Sequence, residues 1–310
     1  MGSLSDGPPH VSVVICTRNR GDKIASAVNA VLANDHPSLD LTVVDQSTSD
    51  ETKRVVESIA ARDPRVRYIH TPHAGLSRAY NLGIAETTGS ILAFTDDDCI
   101  AEPDWVTRII AAFEAEPDAE LLYGSVVALG ESGDDVEHTP AYHFLVPERL
   151  SAREGFRIVG MGANFAARRT LFERVGPFDN VLGGGGALRS SQDFDIEYRT
   201  IVAGGVVLLR PDVVIRHDGR REPEDWPSLL RAYGTGDGGF YTKHIRCRDL
   251  TAVRLFARQV AGSCARWVRG RLRGKRPLEH HYLRGVLTGV RGSFRFDIDR
   301  STRLYVEPEA

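Results

Sequence analysis

From Val11 to about Ala128 the chain alternates short apolar runs with amphipathic stretches, and this rhythm is the strongest constraint on its fold. The runs Val11 to Cys16, Leu41 to Asp45, Val66 to His70, Ile91 to Thr95 and Leu121 to Ala128 read as strands. Between them Lys23 to Leu32, Ser49 to Ala61, Leu76 to Glu86 and Trp105 to Glu116 carry helical spacing, with Asp22 and Asp104 in capping positions. Consecutive βα units of this kind build a mostly parallel sheet covered by helices, so the fold class is α/β. Open α/β sheets bind ligands beyond the carboxyl ends of their strands, which is where Thr17, Asp45 and Asp96 fall.

One of those strand ends is unusual. Ile91-Leu92-Ala93-Phe94 runs straight into Thr95-Asp96-Asp97-Asp98-Cys99, which sets three carboxylates at the end of a buried strand. Such carboxylates repel one another and lose hydration, so a cation is expected among them. Hard oxygen ligands select Mg2+ or Mn2+, ions suited to gripping a diphosphate. The bland alternative is an acidic turn or helix cap, where Asp is common.

The rest of the chain is less regular. Residues 130 to 160 lose the βα rhythm, and the pattern resumes with a strand at Met161 to Ala166, a helix at Arg168 to Val175, a glycine loop at Gly183 to Gly186 expected to be mobile, a helix at Phe194 to Ala203, and one or two strands over Val206 to His217. With 310 residues, 42% of them hydrophobic, a large core is available, and the net charge of −3 hides an uneven distribution. From Lys243 to Arg276 the only acid is Asp249. Apolar residues at Val253, Phe256, Val260, Cys264, Trp267 and Val268 make this stretch a basic amphipathic helix, which suits either an anionic membrane interface or packing on the domain with a solvated arginine face. Cys16, Cys99, Cys247 and Cys264 form no CxxC pair, so neither a zinc site nor a disulfide framework is indicated, and a cytoplasmic location, in contact with the inner membrane face or not, is expected. Residues 1–10 read as a disordered polar tail, and no apolar run is long enough to span a membrane.

Seven segments taken together resemble, in order and spacing, the family 2 glycosyltransferases of the GT-A fold. They are Val13-Val14-Ile15-Cys16-Thr17-Arg18-Asn19-Arg20, Val43-Val44-Asp45-Gln46-Ser47-Thr48-Ser49-Asp50, Gly75-Leu76-Ser77-Arg78-Ala79-Tyr80-Asn81-Leu82-Gly83-Ile84, Phe94-Thr95-Asp96-Asp97-Asp98, Gly162-Ala163-Asn164-Phe165-Ala166-Ala167-Arg168-Arg169, Val175-Gly176-Pro177-Phe178-Asp179 and Gln192-Asp193-Phe194-Asp195. The resemblance implies a Rossmann-like GT-A domain with a nucleotide-sugar-binding half at 11–128, an acceptor-binding half at 129–218 and a C-terminal basic helical extension at 219–310.

It also implies an inverting transfer of sugar from a nucleoside diphosphate to an acceptor hydroxyl, with Mn2+ or Mg2+ as cofactor. Thr17, Arg18, Asn19, Asp45, Gln46, Arg78, Asp96 and Asp97 would face the nucleotide. Gln46 stands where a second Asp is usual; its amide can accept from a uracil or thymine N3–H but can also donate. A UDP-sugar is the favoured donor, with dTDP or GDP as alternatives. Asp98, Asp96 and His217 would hold the metal, Asp193 would be the base, and Gly162, Asn164 and Gln192 would lie near sugar or acceptor. Asp195 and Glu197 read as solvated neighbours of Asp193 or partners of Arg199. Two other readings stand beside this one: a catalytically degenerate GT-A scaffold or carbohydrate-binding subunit, and a sugar-1-phosphate nucleotidyltransferase, whose glycine-rich phosphate loop is missing from Cys16-Thr17-Arg18-Asn19.

Overall fold

The computed structural model describes residues 8–130, 139–154, 157 and 159–308. Most of the expected N-terminal tail, and part of the irregular 130 to 160 segment, lie outside the described residues. The chain divides into two compact units, the first drawn from Met1–Ala74, Arg78–Pro177 and Ile196–Arg220, the second from Gly75–Ser77, Phe178–Asp195 and Arg221–Ala310.

In chain order the elements are β1 (Val11–Thr17), α1 (Gly21–Leu32), β2 (Leu39–Asp45), α2 (Glu51–Ala60), β3 (Val66–His70), α3 (Leu76–Ala85), β4 (Ile91–Asp96), β5 (Cys99–Ala101), α4 (Trp105–Ala115) and β6 (Ala119–Ala128). They continue with β7 (Glu148–Leu150), β8 (Asn164–Arg168), α5 (Arg169–Val175), α6 (Gln192–Val202), β9 (Val206–His217), α7 (Trp226–Arg246), α8 (Leu250–Leu272), α9 (Glu279–Ser293), β10 (Asp297–Asp299) and β11 (Leu304–Val306). Strands β1 to β9 form one sheet in the first unit, ordered β3-β2-β1-β4-β8-β6-β9-β5 with β7 on β9. The β3-β2-β1-β4 half is parallel, as the βα rhythm requires; β1, β2 and β4 are almost wholly buried, while β3 at the edge buries only Val66. Val13, Ile15, Val43, Ala93, Val28 and Trp105 share its core.

Antiparallel β8 extends the sheet on the far side of β4, beginning at Asn164 rather than at the expected Met161 because the preceding residues turn. Strand β9 is one strand with a register shift: Gly124 faces Arg210 but Ser125 faces Val214, so Pro211 sits in a bulge where its missing N–H leaves no gap in the ladder. Asp104 stands at the N-cap of α4 as expected, but neither expected capping residue makes a cap bond as an N-cap. Asp104 pairs with Arg108 at 2.7 Å and makes no side-chain cap bond, and Asp22 lies inside the first turn of α1, whose N-cap is Arg20.

The second unit is helical. Helix α7 contains Gly234, Gly236, Gly238 and Gly239, each costing about 1 kcal/mol relative to Ala in an isolated helix. Packing explains them. A Cβ at Gly238 or Gly289 would collide with the backbone of the facing helix, so α7 and α9 cross at near backbone contact through residues spaced four apart, Gly234 and Gly238 against Gly285 and Gly289.

Three expectations fail in this unit. Lys243, read as the start of a basic surface, is fully buried and bonds Asp179 and Asp195, each at 2.6 Å. Asp195 also faces His244 at 3.0 Å, so it is not a solvated neighbour of Asp193; in the first unit Glu197 is buried too, and Arg199 donates to the carbonyls of Val175 and Pro177. Gly183 to Gly186 is a tied turn: Gly183 N–H donates to Ser190 O, Gly186 N–H to Gly183 O, and Gly184 O accepts from Leu76 N–H. The left-handed φ of +93° at Gly183 and +76° at Gly185 is what requires glycine there.

Helix α8 begins with an Asp249 cap and presents its apolar residues in two directions. Phe256 stacks on Tyr241 of α7 and Gln259 donates to the Tyr282 hydroxyl of α9, while Val253, Cys264 and Val268 face solvent. No helix among the described residues is long and apolar enough to cross a membrane.

Candidate active site

Strand register builds the site in the first unit. Thr17 pairs with Asp45 and Cys16 with Asp96, which aligns the ends of β2, β1 and β4 in one row. After Asp98 the chain turns into the three-residue strand β5, whose Cys99 pairs directly with His217 at the end of β9. The Asp218 N–H then donates to the Asp98 carbonyl at 2.8 Å, locking the two segments together. As a result the His217 Nε2 lies 3.4 Å from Asp98 Oδ1, and both side chains are buried. The other ring nitrogen, Nδ1, lies 2.8 Å from the Pro140 carbonyl, which fixes the ring and leaves Nε2 facing the carboxylate.

A residue that sequence reading passed over completes the arrangement. Arg20 donates to Asp97 Oδ1 at 2.8 Å and to Asp98 Oδ2 at 2.6 Å, while Thr17 Oγ1 donates to Asp97 Oδ2 at 2.6 Å. An arginine at a helix N-cap opposes the helix dipole; two carboxylates compensate it. The only signal in the sequence was its place three residues beyond the end of a strand, where the chain must turn across the acidic run.

The charges respond as this packing dictates. Burial, and then the charges of Asp98 and Asp97, push Asp96 up to about 7. Asp97 is also raised, chiefly by burial, against the pull of Thr17 and Arg20. Asp98 goes the other way, down to about 2: burial raises it, but the His217 hydrogen bond and charge and the Arg20 charge outweigh burial. His217 is raised, since Asp98 overcomes a burial penalty that would lower it. The acidic run is therefore one carboxylate held ionised, with an imidazole opposite it.

Asp98, Cys99 and His217 bring ligand atoms within 4.8 Å of one another. Burial holds the Cys99 thiol far above its ordinary value, so it stays protonated and is a poor ligand for a hard ion. The remaining carboxylate and imidazole, with half-buried Asp96 alongside, fit Mn2+ or Mg2+ by donor type.

The other expected site residues divide. Asn19, in the left-handed region at φ +56°, accepts from Thr48 N–H and donates its own N–H to Ser47, tying the β1 and β2 loops together. Arg18 is exposed at this edge and Arg78 is half-buried on α3. The Gln46 amide donates to the His73 carbonyl. Asp45 is fully buried, with one oxygen accepting from Ser47 N–H and the other from the Tyr68 hydroxyl, so its side chain caps the strand-end turn and is not turned outward to a ribose.

Asn164 is a correction. Its amide donates to the Ser125 and Val213 carbonyls and accepts from the Trp105 indole N–H, all in the interior, so nothing remains for a sugar. Gly162 is buried nearby, its carbonyl accepting from the Tyr80 hydroxyl. Gln192 and Asp193 belong to the second unit, where they open α6; Asp193 Oδ1 accepts from the Phe194 N–H.

A family model described as "Glycosyl transferase family 2" matches residues 12–176, which includes every strand end of this site except His217. The chain belongs to glycosyl transferase family 2. Among family relatives, a glucosyl-dolichyl phosphate glucuronosyltransferase of Haloferax volcanii is 30% identical over 56% of this chain and 57% of its own length. A pre-mycofactocin glycosyltransferase of Mycobacterium tuberculosis is 24% identical over 84% of this chain and 53% of its own. The alignments thus span little more than half of these relatives.

Among solved structures, a mannosyltransferase from Pyrobaculum calidifontis in complex with GDP-Man and Mn2+ superposes with a TM-score of 0.63 at 17% identity, covering 92% of this chain and 88% of that one. S. aureus TarS 1-349 in complex with UDP-GlcNAc gives 0.56 at 18% identity, covering 74% and 66%. Both share the family's α/β fold with a mainly parallel central sheet.

Proposed function

We propose that this chain transfers a sugar from a nucleoside diphosphate to an acceptor hydroxyl, with inversion at C1. One observation carries the reading: an ionised Asp98 and the His217 imidazole, 3.4 Å apart, at the carboxyl ends of strands where α/β sheets bind ligands. Asp98, His217 and Asp96 would hold Mn2+ or Mg2+, which when bound supplies a Lewis acid and template for the departing diphosphate. Metal binding needs a neutral His217, so proton and ion compete for the same nitrogen. Arg20 and Thr17 keep Asp97 and Asp98 in place, and Asn19, Asp45 and Gln46 shape the loops expected to enclose the nucleoside, with Arg18 and Arg78 assigned to its phosphates.

Asp193 is assigned as the base that takes the acceptor's proton, from its match to the family motif and from its place in the first turn of α6, where the helix dipole favours a carboxylate. A single displacement at C1 assisted by such a base inverts the anomeric centre. A UDP-sugar is the preferred donor, with dTDP or GDP as alternatives; the neighbours solved with GDP-Man and UDP-GlcNAc support a nucleotide sugar in general.

The expected membrane contact through residues 243–276 narrows to the outward face of α8. There Leu250, Val253, Ala257, Ala261, Cys264, Val268 and Leu272 form an exposed stripe at helical spacing, with Arg254, Arg258 and Arg269 beside it and no acid on the helix. A second copy of the chain would set arginine against arginine, whereas an anionic bilayer complements both stripe and rim.

The test is a thermal-shift screen of UDP, GDP, dTDP, CDP and ADP with and without Mn2+. A nucleotide at about 100-fold its dissociation constant should stabilise by about 2.7 kcal/mol. One nucleotide should stabilise wild type only with metal and fail with Asp98→Ala. Donor hydrolysis retained in both Asp98→Ala and Asp193→Ala would overturn the assignment.

A further inference from the structure

The second unit holds a groove unrelated to the carboxylate site. Two adjoining cavities of about 400 and 330 Å3 share Ala187, Thr235 and Thr288 in their walls. The first is lined by Arg189 and Arg231, the second by Arg291 and Arg295. Four arginines therefore line one trough, Arg189 from a loop, Arg231 from α7, Arg291 from α9 and Arg295 from the turn that follows α9. Among the described residues, none of the four forms an ion pair, whereas Arg149, for example, is held by Glu116 and Asp118.

The fold goes to some length to hold this wall. Arg189 and Ser191 both adopt left-handed backbone at φ +71°, a conformation that is strained for a non-glycine residue. The turn is fastened from below: Ser191 Oγ donates to Asp237 Oδ1 at 2.8 Å, and the Tyr282 hydroxyl donates to Asp237 Oδ2 at 2.6 Å. The backbone that carries Arg231 is held by the glycine-mediated crossing of α7 and α9, since a Cβ at Gly285 would strike the Arg231 carbonyl. Unpaired guanidiniums gathered on rigid backbone, with Thr235 and Thr288 between them, match a multiply charged oxyanion, because the planar arginine fork recognises phosphate oxygens two at a time.

We propose that this groove binds a phosphate or diphosphate group, separate from the nucleotide's. Arg189 precedes Asp193 by four residues in the same unit, so the anion is assigned to the acceptor side: an acceptor carried on a phosphate or diphosphate. The assignment to the acceptor rests on the glycosyl-transfer reading; the anion site itself does not.

The experiment is calorimetric titration of the full chain with inorganic pyrophosphate in EDTA at low salt, repeated with a water-soluble short-chain prenyl diphosphate. Wild type should bind pyrophosphate. A charge-assisted hydrogen bond contributes enough to change affinity about tenfold, so Arg231→Gln with Arg291→Gln should weaken binding about a hundredfold, and Arg295→Gln alone about tenfold. These side chains are exposed, and an unchanged circular dichroism melt verifies folding. Asp98→Ala should lose the metal-dependent nucleotide response yet bind pyrophosphate as wild type does, which separates failure of this site from failure of the transferase reading. Tighter binding of the prenyl compound identifies a lipid-borne diphosphate, and equal binding a soluble one. No binding to wild type, equal binding by the double arginine variant, or loss of binding in Asp98→Ala would each overturn the proposal.

Discussion

Replacing Lys243 by Met should strip the second unit of its internal counter-charge. Lys243 has no solvent exposure, and its ammonium stands 2.6 Å from both Asp179 and Asp195, neither exposed. Met matches the aliphatic stem but leaves two carboxylates facing each other in the interior. Breaking a buried pair by removing one partner costs about 3–5 kcal/mol. With an unfolding entropy of about 2.1 cal/mol/K per residue over the whole chain, about 4 kcal/mol lowers Tm by about 6 °C. Differential scanning calorimetry at pH 8 and pH 5 reads this directly. The loss should be larger at pH 8, because at pH 5 the orphaned carboxylates escape part of the penalty by taking up protons. A Tm within about 2 °C of wild type at pH 8, or a loss equal at both pH values, would show that the lysine is not what stabilises those carboxylates.

Burial holds His244 down to about 4, below its ordinary 6.5, so the unfolded chain binds this proton first on acidification. Stability should fall by about 3 kcal/mol between pH 6.5 and 4, and His244→Gln should flatten that part of the urea-denaturation profile. Asn164→Leu should cost about 2–4 kcal/mol by orphaning the Trp105 N–H and the Ser125 and Val213 carbonyls; a chevron shift, not a KM change, is the expected signature. Arg20→Met should enlarge the Mn2+-induced rise in Tm relative to wild type, because the ion then relieves carboxylates the arginine no longer neutralises; an equal or smaller rise would refute its role. Val268→Glu with Leu272→Glu should abolish co-sedimentation with phosphatidylglycerol vesicles and leave the melt unchanged, and undiminished sedimentation would exclude the α8 stripe.

What could be read from the sequence was whatever periodicity or chain adjacency encodes. The parallel strands and their helices are local patterns, and Asp96 to Asp98 announced themselves by ending an apolar run. The His217 contact depends on a three-residue strand too short to carry a pattern, and Arg20 on a turn whose direction only the folded loop decides. Lys243 was misread for the same reason: its partners lie 64 and 48 residues away, and a lysine bound for the interior looks like any other beside Arg246 and Arg248. Asn164 matched a motif yet serves the core, since a motif records which residue type sits at a position and not which way its amide points. Helix α8 was read as having one apolar face, and packing against α7 and α9 divided it into two.

The crossing of α7 and α9 has a consequence for how such a chain can diverge. Arginines on the groove rim can be exchanged with little effect on folding, so the anion they select is open to change over evolutionary time. The glycines beneath them have no such latitude, because even one methyl at Gly234 or Gly289 would wedge the helices apart and widen the trough. Specificity in this unit can drift at the surface, while its spacing is fixed by atoms that are not there.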